Sequence, residues 1–432
     1  MPGLCLRLLP IRVPFTFGLF FRPINNVDFT KECKMKVRRS LSTVATLVTA
    51  GLMICSVAYA QTWSSPQFVA NGFTVAVATN GSTSAVLFTP PSGGLQASVK
   101  SGSSWQTPVT LTTAAATGDI AVAPNGDVLA VWSFRTTNTY IPVEAQARFF
   151  SAGSWKNTIT ISTNVYGNVS SLGLPAIGFD GSSQATLVWE QITNPSPIAC
   201  GLNAVTGSAS SGFGSAQTIT NATTCYGLAK ISVNSTGEAV VVEGMPGILT
   251  GAILGISRSS SGTWSAPVTV AASAYRQDNP SVGLGNNGTA VAVWRTRSGV
   301  SYAVRSNGTW SAAAALPVLS GQAGGSTGVA VDGSGNAVAI FTQVTISPGT
   351  YAAYRPVNGT WQQKTQLSSG LPVAATPAGT FVASGTTVST RLAGTSNWTT
   401  HAFSDTARIN AGPGLAIAAV GPQVSISTAV VP

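Results

Sequence analysis

The chain has 432 residues, enough for two or three ordinary domains or for one repeat domain. Only 8% are charged, against about 25% in an average globular protein. With 44% apolar residues and ten Trp, that composition excludes disorder and points to short strands joined by many Gly, Ser, Thr and Asn turns. The net charge of +10 is concentrated before residue 61, and the +4 left on residues 61–432 is too weak and scattered for a nucleic-acid footprint.

Residues 35–60 read as a signal peptide. Lys36, Arg38 and Arg39 form a basic head, residues 41–57 an apolar run, and Ala58-Tyr59-Ala60 a small-x-small cleavage site. Cleavage after Ala60 leaves Gln61 as the mature N-terminus of a secreted or periplasmic protein without a stable membrane anchor. Ile54 before Cys55 does not suit a lipoprotein. Residues 1–34, broken by Arg7, Pro10, Arg12 and Pro14, read as an extension upstream of a natural start at Met35.

Residues 61–432 repeat one pattern about seven times. Each unit holds four strands, a to d. The a–b turns fall at Asn80-Gly81, Asn125-Gly126, Asp180-Gly181, Thr236-Gly237, Asn287-Gly288, Gly335-Asn336 and Ala378-Gly379, residues that favour two-residue hairpins. An aromatic closes most b strands: Phe88, Trp132, Trp189, Trp294 and Phe341. A Trp heads most d strands: Trp105, Trp155, Trp264, Trp310, Trp361 and Trp398, with Phe213 in the third unit. Four strands at this period, with turn and ring always in phase, are the blades of an all-β propeller whose rings pack blade against blade.

Both ends carry partial units. Trp63-Ser64-Ser65-Pro66 repeats the d-strand motif at Trp264, and residues 415–420 and 424–431 read as a and b strands. Closing the ring with strands from both termini makes eight blades, or seven if one end only caps the ring.

Cys200 and Cys225 are the cysteines of the mature chain, and in an oxidising compartment they read as a disulfide. One histidine, His401, and no CxxC or HxxxH spacing give no metal site, and nothing implies a cofactor. His401 lies near Asp405, but without a GxSxG elbow a serine-hydrolase triad has no support.

Three d-strand entries, SSSGTW (259–264), RSNGTW (305–310) and PVNGTW (356–361), resemble the Asp-box, or BNR, repeat of sialidase-like propellers, although the Asp is absent from each copy. The resemblance implies the fold. The arginine triad and the Tyr/Glu pair of sialidases do not map onto this chain, so it carries over no activity.

Short, uniform a–b turns lie on one face of such a propeller and long, irregular loops on the other, where binding residues usually sit. Glu190, Glu243 and Arg295 share one phase just past strand b in three consecutive units, and Tyr275, Arg276 and Asp278 join two of them. Together they make a candidate polar pocket for a sugar. The expected function is a non-catalytic, monomeric binding propeller for a glycan or an envelope or surface protein. The alternative is a sialidase-like glycoside hydrolase or lyase with Glu190 and Glu243 as acid/base pair.

Overall fold

The computed structural model describes residues 62–134, 143–165, 175–195, 198–222, 229–246, 251–273, 277–317, 323–345, 347–367, 372–383, 387–392, 394–403, 408–421 and 423–431. These form eight four-stranded antiparallel blades. The innermost strands, in ring order, are Phe73–Thr79, Ala116–Val122, Ala176–Phe179, Ala229–Val233, Gln277–Leu284, Ala323–Val331, Val373–Ala375 and Arg408–Gly412. Each touches the next, and the eighth touches the first, so the ring is closed.

The eighth blade closes it. Arg408–Gly412, Leu415–Val420 and Val424–Val430 come from the C-terminal end, and Gln67–Ala70 adds the outermost strand. Residues 415–420 and 424–430 are therefore strands b and c rather than a and b. Strand a is Arg408–Gly412, whose leading Arg hides it in the sequence.

The b strands show why the residues fold this way. Val128–Phe134 (VLAVWSF) and Ala290–Thr296 (AVAVWRT) are buried over their first five residues because both faces meet another blade. Such strands read as continuous apolar runs rather than alternating ones. Alternation instead decides which neighbour a residue meets. Trp132 packs toward the first blade while Leu129 and Val131 pack toward the third.

The d-strand rings obey the same rule. Trp105, Trp155, Phe213, Trp264, Trp310, Trp361 and Trp398 each join the cluster shared with the preceding blade. Trp63 does so for the eighth blade, edge-on to Phe403 at 5.7 Å. The motif at residues 63–66 is thus the eighth copy.

Most a–b turns are three-residue loops rather than two-residue hairpins. In the second blade Ala123 N–H bonds Asp127 O, Gly126 N–H bonds Ala123 O, and Gly126 has φ +91°. A left-handed residue ending a short turn is the rule for this loop length. In the third blade that position is Ser183, at φ 63°, not Gly181. The turns also lace the blades together. Asn80 Nδ2 donates to Ala123 O, Asn125 N–H to Ser183 Oγ, Gly181 N–H to Ser235 O, Asn286 N–H to Gly333 O and Gly333 N–H to Pro377 O.

Candidate functional site

Five b strands carry an aromatic ring at the fifth residue after the turn: Phe88, Trp132, Trp189, Trp294 and Phe341. In the fourth blade that residue is Glu243. Glu243 lies within the strand Ala239–Pro246 and faces the third blade, on the same side as Val241. Glu190 sits one residue beyond Trp189 in the strand Ala185–Pro195. It faces the fourth blade with Val188. The one-residue offset is what brings the two carboxyl groups into one interface. Had they shared a phase, as the spacing suggested, they would point into different interfaces.

Both are enclosed: Glu190 is 6% exposed and Glu243 2%. Burial, and then the charge of Glu190, push the Glu243 carboxyl up to about 8. Glu243 Oε2 is buried without a hydrogen-bond partner. The group therefore holds a proton at neutral pH, because an ionised carboxylate here would lack compensation. Chemically this is a proton-carrying acid sealed between two blades.

Asp278 and Arg295 lie elsewhere. They are cross-strand partners on strands a and b of the fifth blade, joined at 2.8 and 3.0 Å through Arg295 Nε and Nη2. Arg295 shares a side with Val291 and Val293, which face the sixth blade. Trp294 fills the interface between this pair and the glutamates. The side chain of Asp278 is 3% exposed and that of Arg295, next to its b–c turn, 32%. The paired geometry fixes its orientation. Tyr275 and Arg276 lie outside the described residues, as do Cys225, Asp405 and the leader. Cys200 is buried at 1% exposure, and His401 lies on the outer strand of the seventh blade against Phe403.

A third feature escaped the sequence reading. The innermost strands surround an axial cavity of about 740 Å³, lined from mid-channel to the short-turn face by residues of all eight blades. Its walls mix aliphatic side chains, among them Val75, Ile120, Val233 and Leu284, with polar ones, among them Asn80, Asp180, Asn286 and Asn410. Into it come Asp119 from the second blade and Arg408 from the eighth, and Lys230 of the fourth acts on Asp119 electrostatically. Enclosure raises the pKa of Asp119, while the Ile120 N–H bonded to its Oδ1 at 2.8 Å and the Lys230 charge oppose that rise. A single charge inside an otherwise uncharged innermost strand (ATGDIAV, AKISV, RINAG) was the available signal.

No family model and no curated protein matches the chain in sequence. Its fold is similar to that of an ulvan lyase of polysaccharide lyase family PL25, solved with a GlcA(1-4)Rha3S ligand. That match has TM-score 0.51 and 9% identity over 86% of this chain and 96% of the lyase. It is equally similar to the BP39L lectin from Burkholderia pseudomallei, with TM-score 0.51 and 13% identity over 77% of this chain and 98% of the lectin. At such identities the likeness establishes the propeller fold alone.

Proposed function

We propose that this is an exported, monomeric propeller that binds a glycan on its long-loop face without turning it over. The observation that carries the reading is Arg295. Its guanidinium is held bidentate by buried Asp278, and its side chain is still one-third exposed beside a b–c turn. A preoriented, partly exposed donor fork suits sugar hydroxyl or carboxylate groups. A lectin and a polysaccharide lyase among proteins of like fold are consistent with a glycan partner. Binding of residues 61–432 to a broad glycan array, weakened at least tenfold by Arg295→Ala, is the expected result. A folded protein that binds no glycan on the array would sink this reading and leave an envelope protein as the partner to seek.

One observation favours a second reading. A carboxyl group that stays protonated at neutral pH has the property of a general acid, and Glu243 is such a group. Against it, Glu243 Oε2 has no route to a substrate among the described residues, since it is buried between blades. Cleavage of an acidic polysaccharide that Glu243→Gln abolishes would establish catalysis; no turnover by the folded protein leaves binding. Export itself is tested by the mass of the secreted chain, expected to begin at Gln61. Non-reducing peptide mapping of the same sample is expected to yield a linked Cys200–Cys225 peptide.

A further inference from the structure

The innermost strands are built almost without charge. Among their described residues the charged side chains are Asp119, Lys230, Asp278 and Arg408, and Asp278 is committed to Arg295. The other three come from the second, fourth and eighth blades, far apart in sequence, yet stand at one depth along the axis: Asp119 and Arg408 line the cavity, and Lys230 is near enough to act on the Asp119 charge. Asp119 and Lys230 each stand three residues before the end of their strands, at Val122 and Val233. Asn410 Oδ1 accepts the N–H of Thr79, the last residue of its own strand, which places Arg408 level with Val77 and so within a residue of the same depth.

Charges placed this close to the axis are costly if water or a partner does not compensate them. Lys230 and Asp119 offset each other in part. Arg408 is exposed to the cavity, and among the described residues no carboxylate pairs with it. Asp180, also in the lining, accepts the N–H groups of Ser182 and Gln184 in its own turn, and Asp119 is offset by Lys230, so Arg408 is the lining charge left for a ligand, in a partly enclosed space that strengthens an ion pair formed there. Its volume lies within the roughly 300–1,000 Å³ of small-molecule sites.

We propose that the axial channel is a second binding site, entered from the short-turn face, which takes a small carboxylate ligand with its acid group on Arg408. The site does not depend on the long-loop reading and involves none of its residues. The carboxylate could be a free acid or the acidic residue ending a glycan chain, and both present the same chemistry to Arg408.

The test is calorimetric titration of residues 61–432 with glucuronate, with glucose as its neutral counterpart, and with an oligosaccharide ending in glucuronate. Glucuronate is expected to bind and glucose is not. Arg408→Ala is expected to lower the affinity about tenfold or more, as loss of a charge-assisted contact does, and Lys230→Ala to lower it less. Arg408→Lys should keep part of the binding, and Lys156→Ala, on an outer turn, all of it. Raised salt should weaken it. Binding of the oligosaccharide alone, lost in Arg408→Ala, also supports the site and identifies the chain end as the source. Equal binding of glucose and glucuronate, no binding of either acid, or affinity unchanged in Arg408→Ala would overturn the proposal. Because Arg408 is exposed and has no carboxylate partner among the described residues, its replacement does not threaten the fold, and an unchanged circular dichroism spectrum checks that.

Discussion

Glu243 stands where five other blades place a ring, and its burial makes stability depend on pH. Its carboxyl is raised from an ordinary value near 4.5 to about 8 in the folded chain. Between those values the folded state binds more protons than the unfolded one, so stability falls as pH rises through that window and the loss is complete above about 8. At about 1.4 kcal/mol per pKa unit the upper bound is roughly 5 kcal/mol. We expect Glu243→Gln to be more stable than the native chain above pH ~8. The two should converge as pH falls toward 4.5, read from denaturant midpoints across pH. A difference independent of pH would refute the assignment. The sequence makes Glu243 conspicuous, but VVVEG contains no aromatic to mark its position, so its phase is visible only by counting from the turn. That count places it one residue from the phase of Glu190 and Arg295.

At the scale of the strand, the inner ring is crowded, and glycines make the room. A Cβ on Gly283 would lie 2.7 Å from Val331 Cγ2 and 2.9 Å from Val331 N in the next blade. Gly178 stands in the same relation to Val233, at 2.5 Å from its Cγ2. Neither glycine has a left-handed φ, so the requirement is close approach of adjacent innermost strands and not backbone freedom. Gly283→Ala is expected to cost about 1–3 kcal/mol, as overpacking does, measured by urea unfolding. A neutral effect would mean that the blades can part at the axis without penalty. The repeat phase was legible because turn residues and rings are local signals at fixed spacing. The need for Gly283 was not, since only the neighbouring blade supplies the atoms it would strike.

For the molecule as a whole, closure joins residues more than 360 positions apart. Gln67–Ala70 completes the blade made by the last three strands, Ser64 and Thr428 hydrogen-bond, and Trp63 is buried against the seventh blade. A chain beginning at Gly72 loses that strand and leaves Val424–Val430 as an open edge. We expect it to unfold at lower urea with a broader transition or to aggregate. Trp63→Ala alone should cost roughly 3–5 kcal/mol and keep a single transition. Equal stability of the truncated and full chains would show that the terminal strand does not lock the ring. A ring of eight blades, or of seven, closed by strands from both termini was legible in the repeat count and the Trp63 motif, and the structure has eight. The division into three strands from one end and one from the other was hidden by Arg408, whose charge makes Arg408–Gly412 read as a loop.

Strand content, repeat phase and the positions of turns and rings were determined by the sequence alone, because each rests on the chemistry of a few neighbouring residues. Which charges meet was decided by the tertiary structure. Side-chain direction alternates every residue, so an offset of one sends Glu243 and Glu190 into a shared interface and leaves Arg295 in another. The cavity that gathers Asp119 and Arg408 exists only once eight strands, spread over more than 330 residues of chain, stand around a common axis.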